Sequence, residues 1–140
     1  MIPPTVHIID DDASYRRSLI NLLGASGYRA VGYESGSDFL ERLPGKGPGC
    51  ILLDLQMPVL GGLEMQEKLA AAVPLLPVLF LSGHGDIEST VRAIKGGAVE
   101  FQPKPFREHD LLDAVTTALR HDERTRVARS AARAIRSRYD

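Results

Sequence analysis

Several features are scarce in this chain of 140 residues, and each absence excludes a class of protein. The chain has one cysteine, Cys50, so an internal disulfide is excluded. Because Cys50 lies in an apolar run, we interpret it as a small core residue rather than a reactive thiol. No apolar stretch approaches the roughly 20 residues of a membrane-spanning helix. Residues 1–4 lack the basic and apolar regions of a signal peptide, so we expect no membrane partner and a cytoplasmic location.

The net charge is also small, at −1, but it is unevenly distributed. Residues 120–140 contain seven arginines and three acids, a net charge of +4, and the rest of the chain therefore carries −5. Because the positive charge is terminal and accompanies no recognition motif, we do not expect this domain itself to bind nucleic acid. The length and a hydrophobic content of 44% predict one globular domain with a substantial core.

Five short apolar runs that are typical of strands alternate with five patterns that are typical of helices. The strand patterns begin at Val6, Tyr28, Cys50, Val78 and Val99, and the helical patterns occupy residues 14–26, 35–43, 63–73 and 87–95 and a stretch from residue 111 onward. This alternation predicts an α/β fold, a doubly wound five-stranded parallel sheet with helices on both faces. We expect one domain over residues 1–120, followed by an Arg-rich helix or linker over residues 121–140.

The apolar run that ends at Asp54 is at the centre of this prediction. A continuous apolar run is typical of a strand buried on both faces, and open parallel sheets bind ligands at the carboxyl ends of their strands. Other polar residues are expected at the same edge, namely Asp10, Asp11, Asp12, Ser82 and Lys104. Clustered carboxylates repel one another unless a cation neutralises them, and Mg²⁺ prefers such oxygen ligands. With a lysine beside it, Asp54 is suited to act as a nucleophile in phosphoryl transfer.

Four motifs at these strand ends together resemble the receiver domain of two-component response regulators, and in particular its FixJ-like branch. The motifs are Ile8-Ile9-Asp10-Asp11-Asp12, Leu53-Asp54-Leu55-Gln56-Met57-Pro58, Leu81-Ser82-Gly83-His84-Gly85-Asp86 and Pro103-Lys104-Pro105-Phe106. Each motif alone is weak, but four in this order are specific. The resemblance covers roughly Val6 to Arg120.

The resemblance implies how the acidic residues would act. Asp54 would accept a phosphoryl group from a phosphohistidine on a sensor histidine kinase. Asp11, Asp54 and the backbone carbonyl of Gln56 would bind Mg²⁺, and Asp10 would contribute through a water molecule. Lys104 would pair with the phosphoryl oxygens.

The resemblance also implies a switch and an output. Ser82 would move toward the phosphoryl group and Phe101 would rotate inward, with a cis bond to Pro105 shaping the loop after Lys104. In place of Ser82 and Phe101 the family more often has Thr and Tyr.

The resemblance further implies that the domain is a switch that catalyses its own phosphorylation and slow dephosphorylation, rather than a conventional enzyme. Phosphorylation would change the face around the fourth helix and fifth strand, promote a homodimer and control transcription through a DNA-binding domain that is absent from this chain.

Some alternatives remain open from the sequence. Asp10-Asp11-Asp12-Ala13-Ser14 also fits the first motif of haloacid-dehalogenase-type phosphatases, with Asp10 as nucleophile and Asp12 as acid/base, although this interpretation leaves Asp54 unexplained. A flavodoxin-like nucleotide binder would need a Gly-rich loop that is missing after the first strand. A stand-alone receiver without an output domain is a further alternative. Asp12 is either the N-cap of the first helix or a neighbour of the metal, and His84 is interpreted as a loop residue.

Overall fold

The computed structural model describes residues 3–42, 47–54, 62–72, 76–82, 91–92, 94–98, 100–104 and 106–139. For residues 62, 63, 82, 100, 101, 130 and 133–139 it describes the backbone alone. The strands are β1 (Thr5–Ile9), β2 (Arg29–Tyr33), β3 (Gly49–Asp54), β4 (Val78–Ser82) and β5 (Glu100–Pro103). The helices are α1 (Ala13–Ala25), α2 (Gly36–Arg42), α3 (Gly62–Ala72) and the C-terminal helix (Glu108–Tyr139). Of the fourth helix predicted at residues 87–95, residues 91, 92, 94 and 95 are described, and they are helical.

The five strands form one parallel sheet in the order β2-β1-β3-β4-β5, which confirms the predicted fold class. β3 lies at the centre, and all six of its residues are buried. In the register of the sheet Ile9 pairs with Leu53, and Asp54 pairs with Leu81. Because the strands are parallel and in this register, the residue after β1 is brought beside the last residue of β3.

Helices cover both faces of the sheet and enclose two hydrophobic clusters. One cluster joins the sheet to α1 and the C-terminal helix, and its helical members include Leu19, Leu23, Leu111 and Val115. The other cluster joins the sheet to α2 and α3, and its helical members are Phe39, Met65 and Leu69. Cys50 is fully buried in β3, where burial raises the pKa of its thiol to about 12. The interpretation of Cys50 as a core residue is therefore confirmed.

The C-terminal helix is anchored to the start of β3 by a buried carboxylate. Asp122 is 1% exposed, and its Oδ2 accepts hydrogen bonds from the Gly49 backbone N–H at 3.0 Å and from Arg126 Nε at 2.8 Å. Arg126 Nη2 also donates to the Gly47 carbonyl at 2.7 Å. We call these three bonds the Asp122 clasp. A Cβ at Gly49 would lie 2.1 Å from the Thr5 carbonyl oxygen, so the strand starts here only with glycine.

None of the helices in the described part of the chain combines the length and the apolar character that a membrane span requires.

A buried histidine lies in β1, within an aromatic cluster on the side of α2. His7 is 5% exposed, and its Nδ1 lies 3.1 Å from the Tyr33 hydroxyl. The Phe39 ring packs edge-on against the His7 ring, with centroids 5.5 Å apart. Burial, with a smaller contribution from the charge of Arg29, lowers the pKa of His7 from 6.5 to about 4. The folded protein therefore holds this imidazole in its neutral form near pH 7.

We expect His7 to make the folded state sensitive to acid. Because the pKa is lower in the folded protein than in the unfolded chain, the unfolded chain takes up the proton first as the pH falls. The neutral His7 therefore contributes to the free energy of unfolding above about pH 6.5. This contribution should be lost as the pH falls toward 4, by up to about 3 kcal/mol in total. Urea unfolding between about pH 7.5 and pH 5 would measure about 2 kcal/mol of this loss, since the remainder occurs below pH 5.

The matched variants for this experiment are His7→Gln and His121→Gln. His121 is exposed and its imidazole makes no ion pair or hydrogen bond among the described residues, so its substitution should leave the pH dependence of stability unchanged. His7→Gln should flatten that dependence, whatever it does to stability near pH 7. An unchanged slope in His7→Gln would contradict the prediction.

Candidate functional site

Three carboxylates meet where β1 and β3 end. Asp10 follows β1, Asp54 is the last residue of β3, and the two are 2% and 7% exposed. Asp11 is exposed beside them. One carboxylate oxygen from each of the three residues lies within 4.8 Å of the others. The structure therefore brings together the three acids that the sequence predicted around a metal, with Asp11 and Asp54 as direct ligands and Asp10 acting through water.

The carboxyl group of Asp10 is only partly satisfied by the protein. Its Oδ1 accepts the backbone N–H of Asp12 at 2.9 Å, whereas its Oδ2 is buried and has no hydrogen-bond partner among the described residues. Burial raises the pKa of this carboxyl group; the Asp12 N–H opposes that rise and the charge of Asp54 adds to it. A buried carboxylate oxygen without a partner is costly, so the geometry fits a cation bound at this position.

Lys104 also lies close to Asp54, immediately after β5. Its Nζ is 3.6 Å from Asp54 Oδ1, and its side chain is 27% exposed. The ammonium is thus held close to the central carboxylate and is still reachable from solvent. An anion that approaches Asp54 would meet this ammonium, because opposite charges attract strongly in a partly dehydrated site.

This arrangement suits the chemistry of a phosphoryl group. The oxygen ligands of Asp10, Asp11 and Asp54 are of the kind that a hard divalent cation such as Mg²⁺ prefers. A cation held by these acids and the ammonium of Lys104 would both offset negative charge brought to Asp54.

Asp12 has a structural role that the sequence left undecided. Its Oδ1 accepts the backbone N–H of Tyr15 at 3.1 Å, and it is the N-cap residue of α1. Asp12 is not among the carboxylates that converge within the described residues. The structure therefore favours the N-cap interpretation over the metal neighbour.

Two residues near the site were not predicted from the sequence. The Lys104 Nζ lies 4.5 Å from the centroid of the half-buried Tyr15 ring. Arg16 Nη1 donates to the Asp10 backbone carbonyl at 2.6 Å. The sequence could have indicated both residues, because they lie in the first turn of α1, directly after the acidic run. That position places them at the same edge of the sheet as the acids.

The predicted switch residues are placed by the backbone alone. Ser82 is the last residue of β4 and pairs in register with Pro103, and Phe101 in β5 pairs with Phe80. Their side chains are not described, so their roles stay predictions. The predictions for Gln56, His84 and Pro105 lie outside the described residues.

Comparison with known proteins gives consistent matches. The family model described as the response regulator receiver domain matches residues 6–116. Nodulation protein W of Bradyrhizobium diazoefficiens is 41% identical over 135 residues, which cover 96% of this chain and 60% of that protein. The transcriptional regulatory protein FixJ of the same organism is 36% identical over 133 residues, which cover 95% of this chain and 65% of that protein. The chain thus spans less than two thirds of the length of either relative.

A solved structure agrees with these matches. The response regulator StyR superposes with a TM-score of 0.88 at 42% sequence identity, over 97% of this chain and 69% of that chain.

Substitutions should separate the cap from the metal ligands. Asp12→Ala should lower the free energy of unfolding by about 1 kcal/mol through loss of the N-cap bond, and Asp12→Ser should retain most of that stability. Asp11→Asn should weaken Mg²⁺ binding at least about tenfold, since it removes a charged oxygen ligand. Urea unfolding and a Mg²⁺ titration followed by amide NMR shifts would measure the two effects. If Asp12→Ala weakened Mg²⁺ binding as much as Asp11→Asn, Asp12 would also contribute to the metal site, and the N-cap role would not be its only one.

Proposed function

Because this chain belongs to the receiver domain family of response regulators, we propose that it is a phosphorylation-controlled switch whose phosphoacceptor is Asp54. The family resemblance predicted from the four sequence motifs is confirmed by the family model and the relatives. The comparisons do not favour the phosphatase alternative with Asp10 as nucleophile. Transcription regulation is the role named for FixJ, and we extend it to this chain as part of the proposal.

The single observation that carries this proposal is the environment of Asp54. Its carboxylate ends the central strand, lies 3.6 Å from the Lys104 ammonium and shares a cluster with Asp10 and Asp11. Of the three acids, Asp54 is the one whose carboxylate forms an ion pair with Lys104 among the described residues, and it also belongs to the cluster suited to a cation. The site would therefore stabilise charge at one nucleophile through both a lysine and a bound cation.

In the proposed reaction an Asp54 carboxylate oxygen attacks the phosphorus of a phosphohistidine on a sensor histidine kinase. The new O–P bond forms as the P–N bond breaks, and the electron pair of that bond remains on the imidazole nitrogen. Lys104 pairs with the transferred phosphoryl oxygens. Mg²⁺, held by Asp11, Asp54, the Gln56 carbonyl and, through water, Asp10, would supply further positive charge for those oxygens. Hydrolysis of the acyl phosphate returns Asp54 to a carboxylate.

Ser82 and Phe101 would transmit phosphorylation of Asp54 to the surface of the domain. We propose that Ser82 moves to donate its hydroxyl to the phosphoryl group and that Phe101 rotates inward. Phe101 lacks the phenolic hydroxyl of the commoner tyrosine, so its contribution would be packing alone. These movements change the face around the predicted fourth helix and β5, and that face would form the homodimer.

We further propose that residues 121–140 connect the receiver domain to a DNA-binding output domain. The C-terminal helix supports this idea, since it continues through Tyr139 without interruption and is fixed to the domain by the Asp122 clasp. The relatives are longer than this chain, which leaves room for such a domain in a longer parent protein. Sequencing the parent gene would test this proposal. A stop codon directly after the codon for Asp140 would contradict the proposed output domain and favour a stand-alone receiver.

Phosphorylation should be confined to Asp54. Incubation with Mg²⁺ and acetyl phosphate should add one phosphoryl group, which peptide mass spectrometry locates on Asp54. Asp54→Asn should abolish the modification, and the matched control Asp113→Asn, at an exposed acid of the C-terminal helix, should not. Phosphate on Asp10, or rapid turnover of an aryl phosphate that Asp10→Asn abolishes, would overturn the proposal in favour of a phosphatase.

Activation should also change the oligomeric state. Beryllofluoride with Mg²⁺ mimics a phosphoryl group, so it should shift the sedimentation coefficient from that of a monomer toward that of a dimer. The Asp54→Asn variant should show no shift under the same conditions. Identical sedimentation of the unmodified protein with and without beryllofluoride would count against dimerisation.

A further inference from the structure

The Lys104 ammonium is close to both a carboxylate and an aromatic ring. Its Nζ is 3.6 Å from Asp54 Oδ1 and 4.5 Å from the centroid of the Tyr15 ring. A cation within about 6 Å of the face of a tyrosine ring is attracted by the negative potential of that face. The ring and the carboxylate therefore act on the same ammonium.

Tyr15 is held in place by contacts that do not involve the lysine. Its backbone N–H is bound by the N-cap Asp12, so its position in the first turn of α1 is set by the start of the helix. Its half-buried side chain packs against the core cluster shared by α1 and the C-terminal helix. The ring is thus a fixed surface, whereas the lysine stem has four rotatable bonds.

From this geometry we infer that Tyr15 is a positioning residue, which holds the Lys104 ammonium toward Asp54 through the face of its ring. The inference deepens the proposed function and rests on it. Without the ring the ammonium would sample more orientations, and fewer of them would meet a phosphoryl group at Asp54. Tyr15 would touch neither the phosphoryl group nor the attacking oxygen.

The ring, rather than the hydroxyl group, is the part of Tyr15 that the inference requires. Burial, followed by the negative charges of Asp10 and Asp54, raises the pKa of Tyr15 to about 12. The phenol therefore stays neutral over the working range of pH and adds no negative charge to the site. Phenylalanine presents a similar ring face, so it should replace tyrosine, whereas leucine should not.

The kinetic test uses acetyl phosphate with Mg²⁺ and the folded fraction of each variant. Tyr15→Leu should lower the rate constant for phosphorylation of Asp54 about 3- to 30-fold, the range expected for loss of a cation–π contact. Tyr15→Phe should recover the rate to within about twofold of the unmodified protein. Tyr28→Leu is the matched control, because Tyr28 is a half-buried tyrosine on the same core cluster and its hydroxyl bonds Thr116 rather than contacting the lysine. It should lower stability without changing the rate constant.

A double-mutant cycle shows whether Tyr15 acts through the lysine. In a Lys104→Met background, the further change Tyr15→Leu should alter the remaining rate by less than about twofold. An equal effect of Tyr15→Leu in both backgrounds would overturn the inference. So would an unchanged rate in Tyr15→Leu while the unmodified protein is phosphorylated normally. If the unmodified protein accepted no phosphoryl group at all, the proposed function and the inference would fall together.

A second measurement needs neither Mg²⁺ nor a phosphoryl donor. The ring current of Tyr15 should shift the ε-methylene NMR signal of Lys104 upfield in the unmodified protein and in Tyr15→Phe. Tyr15→Leu should return that signal to the position of an exposed lysine. A Lys104 signal that is the same in all three proteins would show that the ring does not hold the ammonium.

Discussion

The burial of negative charge at the end of the central strand is the constraint on which the rest of this structure depends. Asp10 and Asp54 are almost inaccessible to solvent, and Asp11 lies beside them. Two buried carboxylates in one cluster are unfavourable unless hydrogen bonds or cations compensate for the lost hydration and the mutual repulsion. A backbone N–H donates to Asp10 and the Lys104 ammonium lies near Asp54, whereas a buried oxygen of Asp10 has no partner among the described residues. In the proposed function, this incomplete compensation at Asp10 would favour the binding of a cation, and the cation would in turn favour a phosphoryl group at Asp54.

Much of the surrounding fold serves to keep these acids together. The pairing of β1 with β3 sets the distance between Asp10 and Asp54, and the crossover to β5 brings in Lys104. The N-cap bond of Asp12 starts α1 where Tyr15 can reach the lysine and where Arg16 can bind the Asp10 carbonyl. Rigid strands and a well-defined helix start are needed because small displacements of a nucleophile or a charged partner lower reactivity strongly.

The sequence was sufficient for the sheet and for the acids, because both follow from short-range pattern and topology. Alternating strand and helix patterns imply parallel strands, and parallel strands place Asp10, Asp54 and Lys104 at one edge. Asp12 was ambiguous because the same residue type caps helices and neighbours metals. Tyr15 was missed because a cation–π contact depends on the separation of two distant segments. Asp122 was missed because its arginine-rich surroundings resemble a solvated tail, whereas the structure buries it against Gly49.

The position of the Asp122 clasp means that the end of the C-terminal helix would move as a lever about the clasp. The helix has 32 residues, and the clasp leaves the last 13 of them beyond Arg126. At 1.5 Å per residue these 13 residues extend about 20 Å, so a tilt of about 10° at the clasp would carry the end of the helix through about 3 Å. The Asp122 clasp is at the first residue of β3 and Asp54, the proposed phosphoacceptor, is at the last, so a single buried strand joins the two. A small movement of β3 would thus become a larger displacement at the end of the C-terminal helix. The number of helical residues beyond the clasp would set the ratio of the two movements.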